Sequence, residues 1–276
     1  AQVRWPEGTL TMQREWIGRS EGAEIEFDVA GHEGTRIRVF TTRPDTLFGA
    51  SFMVLSPEHP LVAGITTAER RADVDAYVKA AAQKSELERT ELQKDKTGVF
   101  TGAYAHNPLF AEDDPKGRIP VWIADYVIVS YGTGAIMAVP AGDERDFEFA
   151  TRFGLEIPGI FAPRTGDAEA DAEVAAGRRC CTDEVPYAAH CRTADGEVAL
   201  AGLSQADAVR VVIDWLVARG RGAARTTYKM RDWLFSRQRY WGEPFPVLHT
   251  KDGVELVADE DPQGGLPELE VGRTGG

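Results

Sequence analysis

The sequence predicts a mixed α/β fold, and three observations carry that expectation. Apolar and polar residues alternate from Glu24 to Val29 and again from Arg36 to Val39, the period of half-buried strands. Two stretches, 143–154 and 204–220, each have a polar cap, an apolar face of helical period and a closing glycine. Between the hairpin and the first of those helices lie short apolar runs, 121–129 and 135–139, of strand length.

The elements follow in order. The Gly-Arg-Ser-Glu-Gly segment that ends at Gly22 reads as a hinge. Ile25, Phe27 and Val29 then face one side, with Glu24, Glu26 and Asp28 on the other. A turn from Gly31 to Gly34 leads to a second strand, with Ile37 and Val39 inward and Arg36 and Arg38 outward. This hairpin delivers Thr41 and Thr42 at its end. Thr66 and Glu69 have capping-box spacing, which predicts a helix to about Lys94 with Val74, Tyr77, Val78, Ala81 and Leu87 as its apolar stripe. Tyr104 to Pro120 is turn-rich. Asp143 reads as an N-cap with Asp146 at the third helical position, Phe147, Ala150 and Phe153 on one face, and Gly154 as the stop. Residues 163–178 read as a surface excursion. Ser204 and Asp207 start a further helix, with Ala208, Val211, Val212, Trp215 and Leu216 inward and Gly220 as the stop. From Tyr228 the chain turns rich in Arg and aromatics, and 259–276 is rich in Gly and Pro. There is no internal repeat.

Size and charge narrow the function. The 276 residues allow one large domain, or a domain plus parts of another. No apolar stretch approaches the ~18–20 residues of a bilayer span, so no membrane partner is expected. The first residues do not have the pattern of a secretory signal, and with no initiator Met they point to a fragment. Cys180, Cys181 and Cys191 are odd in number and two are adjacent, which argues against a disulfide framework and for a reducing compartment. Their spacing with His190 is not that of a zinc site, so no metal is expected. The net charge of −13 counts against tight binding of RNA by this chain alone. It leaves room for a local cationic patch that grips a few terminal nucleotides.

Two polar clusters remain, each where a strand stops. One is Thr41-Thr42-Arg43-Pro44-Asp45-Thr46; the other runs from Gly132 through Met137 and Val139 to Asp143 and Asp146. Each has a plain structural reading. Threonines are good strand formers, and Pro44-Asp45 suits a turn. Asp143 caps a helix, and Asp146 complements its dipole. Met137 and Val139 read as core on periodicity. The functional reading uses the hydroxyls as fixed donors and acceptors, and a free carboxylate oxygen as an anchor for a substrate ammonium. Arg237 to Gly242 reads either as a nucleotide contact or as a basic surface turn. No phosphate loop, nucleophile elbow or zinc-helix motif occurs in the sequence.

Together the two clusters resemble the signature segments of the editing domain of leucyl-tRNA synthetase. The likeness extends along the chain. Met12 to Glu24 resembles the strand and hinge that lead out of the synthetase core, Leu200 to Val217 the helix near the domain exit, and Arg231 to Pro246 the re-entry into that core. The valine and isoleucine relatives depart at Asp45, and the isoleucine enzyme also at Arg43.

The resemblance implies a mixed, barrel-like editing domain inserted in a Rossmann-type catalytic core of which only flanking pieces are present. The expected boundaries are 1–20 for core strand and hinge, 21–222 for the editing domain and 223–276 for the return. It implies hydrolysis of mischarged tRNA(Leu), such as the norvalyl or isoleucyl ester. Thr41, Thr42 and Arg43 would hold the terminal adenosine and the attacking water, with Asp45 beside them. Thr46 would be a steric gate against leucine. Met137, Val139 and Tyr131 would wall the pockets, Asp146 would bind the α-ammonium, and Asp143 would support it. No cofactor is expected for editing; ATP and Mg belong to the parent synthetase reaction. The expected partners are the tRNA(Leu) 3′ end and the rest of the synthetase, for a monomer in the cytoplasm.

Two departures qualify this. Gly142 stands where the family usually has His just before the first Asp. The His-Ile-Gly-His and Lys-Met-Ser-Lys-Ser signatures do not occur, so this chain alone is not expected to activate leucine. Gly142 favours a rival reading, a catalytically silent tRNA-binding or structural module. A free-standing trans-editing hydrolase is a weaker rival, because such a protein would have no use for the Arg231–Pro246 segment.

Overall fold

The structure is a computed structural model that describes residues 5–84, 89, 96–129, 133–183 and 185–228, and the backbone of 247–250 and 253–256. It divides into two units, 1–229 and 230–276. The first holds helix α1 (Glu7–Ile17), strands β1 (Arg19–Val29), β2 (Arg36–Thr41) and β3 (Phe52–Leu55), and helices α2 (Val62–Ile65) and α3 (Arg71–Ala81). It continues with β4 (Val99–His106), β5 (Arg118–Ile123), β6 (Ala135–Ala138), α4 (Glu144–Phe153), α5 (Ala168–Ala175), α6 (Gln205–Ala218) and β7 (Gly222–Tyr228). In the second, β8 (Val247–Thr250) and β9 (Gly253–Leu256) form an antiparallel hairpin.

The seven-stranded sheet runs β2-β1-β4-β5-β3-β6, with β7 also on β1. It is mixed: β3 and β5 are parallel, and the other pairs are antiparallel. The two ends of the path, β2 and β6, lie close together with no ladder between them among the described residues. The barrel-like expectation therefore takes the form of a curled, open sheet.

Parity on β3 and β6 separates two cores. Met53, Leu55, Ala135, Met137 and Val139 face the larger one, shared with Phe27, Leu47, Leu200, Val212 and Leu216. Phe52, Val54 and Ala138 face a smaller one, covered by Phe149 and Ala150 of α4.

Several local expectations change. Residues 7–17, read as core strand and hinge, are a helix that ends at Gly18 in the left-handed region, where its amide reaches Arg14. The hinge segment itself opens β1, because β7 pairs with it from Arg19 onward. Thr66 does not cap α3: its hydroxyl donates to Val62, and the helix starts at Arg71 after a 3-10 turn. The strand expected over 121–129 begins at Arg118 and ends at Ile123. Phe149, not Phe147, is fully buried on α4. The excursion at 163–178 contains α5, capped by Asp167. The hairpin, the Asp143 cap, the Ser204 cap and the inward face of α6 are found as expected. Leu87 and the expected helix end, 90–94, lie outside the described residues, as do 231–246.

Candidate functional site

The first polar cluster is built on the close approach of three strands. Ala23 of β1 pairs with Thr41 on one side and Ala224 on the other. A Cβ on Gly22 would stand 2.0 Å from the Thr41 carbonyl oxygen, so only glycine fits there. β2 thus ends pressed against β1, and a 3-10 turn, Pro44–Gly49, follows directly.

Around that turn most of the polar side chains are tied down. Thr41 Oγ1 accepts from the Arg43 amide at 3.0 Å. The Arg43 carbonyl accepts from the Thr46 amide at 3.1 Å and from the Thr46 hydroxyl at 2.8 Å. Arg43 donates from Nε and Nη2 to the Asp45 carboxylate, 2.8–3.1 Å away. Asp45 also accepts from the Tyr187 hydroxyl at 2.6 Å. Thr42 is exposed and makes no hydrogen bond among the described residues.

Asp45, expected among the substrate contacts, is enclosed instead. It is 0% exposed, and its carboxylate is held by Arg43 and Tyr187, so it offers a ligand no surface. Burial works against the Arg43 charge, and Asp45, then Tyr187, more than offset it, so the guanidinium stays charged. Thr46 is 5% exposed, with its hydroxyl turned to the backbone.

The second cluster forms where β6 gives way to α4. Asp143 caps the helix by accepting from the Arg145 and Asp146 amides. Asp146 shares a helical face with Phe149 and Ala150, and its Oδ2 accepts from the Val139 amide at 2.8 Å. Its Oδ1 carries no hydrogen bond among the described residues. Burial, then the nearby Asp143 charge, push the Asp146 carboxyl up to about 7, against the pull of the Val139 amide, Arg145 and Lys96.

The chain just beyond the first cluster reaches the second at Val139. A Cβ on Gly49, at the end of the first turn, would stand 3.2 Å from Val139 Cγ1, while Asp146 holds the Val139 amide. A second link runs from Asp45 through Tyr187 to Phe161, whose ring lies 3.3 Å from where a Gly142 Cβ would be. Met137 and Val139 share the larger core with Leu47 and Phe48. Tyr131 lies outside the described residues.

Three cavities lined by described residues contain none of the predicted site residues. One of about 680 Å³ is lined by Phe48, Phe110, Ile119 and Leu155, with Lys116 and Arg118. Sequence reasoning missed Tyr187 and Phe161. Nothing local marks either; only the fold brings them to Asp45 and Gly142.

A family model described as leucyl-tRNA synthetase, editing domain, matches residues 14–214. A second, described as tRNA synthetases class I (I, L, M and V), matches residues 198–269. Among solved structures, the chain is similar to the LeuRS in the crystal structure of the Agrobacterium radiobacter K84 agnB2 LeuRS-tRNA-LeuAMS ternary complex. The TM-score is 0.59 and the identity 32%, over 92% of this chain and 26% of that one. This chain therefore spans about a quarter of the length of that protein.

Proposed function

Because the chain belongs to the family of leucyl-tRNA synthetase editing domains, we propose that it hydrolyses the ester of mischarged tRNA(Leu), norvalyl or isoleucyl. The observation that supports this best is that Gly49, which ends the turn after the threonines, packs on Val139, whose amide is held by the buried Asp146 carboxylate.

In this reading Thr41 and Thr42, with the outer edge of Arg43, hold the terminal adenosine and the attacking water. Thr42 has a free hydroxyl for that purpose. Met137 and Val139, with Tyr131, wall the pockets, and Thr46 presents its methyl as the gate. Asp146 keeps Oδ2 on Val139 and offers Oδ1 to the substrate α-ammonium. An ammonium there favours the ionised carboxylate, which burial alone disfavours. Asp143 keeps the helix start in place. Ester hydrolysis then needs only an oriented water and fixed dipoles. A second hydrolytic step has a clear use, because one methylene separates amino acids by only ~1–3 kcal/mol.

ATP and Mg would serve the parent synthetase, which charges tRNA(Leu) with leucine. Among the described residues no three His, Cys, Asp or Glu side chains gather as a metal site would require. The tRNA(Leu) 3′ end and the rest of a cytoplasmic synthetase are the partners this reading requires.

Gly142 supports a second reading. With the Phe161 ring against it, no side chain stands where the family usually has His, as in a module that binds without hydrolysing. Incubating the purified chain with norvalyl- and leucyl-tRNA(Leu) separates the two. Editing requires the norvalyl ester to decay faster than in buffer while the leucyl ester persists. Decay of the norvalyl ester at the buffer rate would leave the silent module.

A further inference from the structure

We propose that Tyr187 is a positioning residue for Arg43 and acts through the buried carboxylate of Asp45. The inference rests on the reading of Arg43 as a contact to the terminal nucleotide.

The geometry is that of a relay with one exposed end. The Tyr187 hydroxyl donates to Asp45 Oδ2 at 2.6 Å. The same oxygen accepts from Arg43 Nη2 at 2.8 Å, and Nε spans both oxygens at 3.1 Å. Asp45 is 0% and Tyr187 5% exposed, whereas the Arg43 side chain keeps 35% of its surface. Nη1 makes no hydrogen bond among the described residues. The fork is therefore anchored by its inner edge and presents its outer donors, the arrangement suited to a ribose or phosphate oxygen.

Tyr187 is itself fixed. It forms an isolated antiparallel bridge with Phe161, and the two rings lie 6.2 Å apart. Burial, then the Asp45 carboxylate, push its hydroxyl above the ordinary range, so it remains a donor. Without that donor the carboxylate keeps one partner and is free to rotate in its pocket. Arg43 then loses the orientation of its outer edge while keeping its charge. A contact site loosened in this way loses binding before it loses the fold.

The test is Tyr187→Phe, which removes one oxygen from an otherwise intact ring. The side-chain Nε–H resonance of Arg43, assigned by its loss in Arg43→Lys, reads the relay without reference to activity. We expect exchange of that proton with water to speed up about tenfold, the size of one charged hydrogen bond. Unchanged exchange in a folded Tyr187→Phe protein overturns the proposal. On norvalyl-tRNA(Leu), KM should rise about tenfold with kcat little changed. That effect should vanish in the Arg43→Lys background, because the two changes cut one pathway. Additive effects would make Tyr187 a structural residue only and also overturn it. Should the wild-type chain not deacylate at all, the functional reading falls, and the resonance alone still decides the relay.

Discussion

The Asp146 carboxylate accepts from the Val139 amide at 2.8 Å while only 7% exposed, so one side chain closes the end of β6 and opens α4. A buried carboxylate with one amide partner is short of donors. Burial first, and the Asp143 charge second, push its ionisation up to about 7 from the ordinary 3.8, and the one amide does not offset them. The native state thus holds a proton here that the unfolded chain releases. Its contribution to stability is full below about pH 4 and is lost as the pH rises through 7.

Asp146→Asn should therefore stabilise the protein and silence it. Asparagine keeps an oxygen for the Val139 amide and carries no charge. At pH 8 we expect a melting temperature ~5–10 °C above wild type, from ~2–4 kcal/mol, with the gap closing towards pH 4. Deacylation should fall by at least about a hundredfold, the effect of a lost charge-assisted anchor. Thermal melts from pH 4 to 8 and the norvalyl assay check both. Full activity in the variant would reduce Asp146 to a structural staple.

Thr46 separates bulk from hydrogen bonding. Its hydroxyl donates to Arg43 O at 2.8 Å, and in the gate reading its methyl supplies the bulk. Thr46→Val keeps the bulk and should cost ~1 kcal/mol of stability while still sparing the leucyl ester. Thr46→Ala removes the bulk and should raise leucyl-tRNA(Leu) hydrolysis about 10–100-fold. Equal protection of the leucyl ester in both variants would reject the gate.

Asp45→Asn tests the buried pair from the other side. The Arg43 guanidinium would face a neutral amide that matches only one of its donors, and Tyr187 could lose its acceptor. We expect a loss of ~3 kcal/mol in denaturant unfolding. Replacing both charges, as Asp45→Asn with Arg43→Gln, should cost less than the sum of the single changes. A stability equal to wild type for Asp45→Asn would mean that water enters the pocket and screens the pair.

These residues also show what the sequence could convey. The hairpin was legible because a period of two, cut by Gly31 to Gly34, permits one register, and Ile37 and Val39 are buried as that register demands. The Asp143 and Ser204 caps were legible because the capping bonds are local. The partner of Asp45 was not: Tyr187 lies 142 residues away and reaches it only when 160–200 folds onto the sheet. Nor was the division at β6, where Met137 faces one core and Ala138 another, because both faces are apolar and periodicity cannot rank them. The strand-and-hinge expectation for α1 came from the family resemblance of Met12 to Glu24, and the helix buries no residue that would have corrected it: Met12 and Trp16 are more than two-thirds exposed.

Gly22 offers the sharpest test of how the first cluster is held. Gly22→Ala would put a methyl 2.0 Å from the Thr41 carbonyl oxygen, in a strand clamped between β2 and β7. Neither neighbour can move without breaking its ladder, so the strain must appear as lost pairing. We expect ~2–3 kcal/mol of destabilisation, typical of an overpacked interior, together with loss of norvalyl-tRNA(Leu) hydrolysis as Thr41 and Thr42 shift. Gly8→Ala is the control: its Cβ would meet nothing within 4 Å, and in a helix the change should be neutral or mildly stabilising. If Gly22→Ala unfolds at the wild-type denaturant midpoint, β2 can slide away from β1, and the close approach of the strands is not what fixes the two threonines.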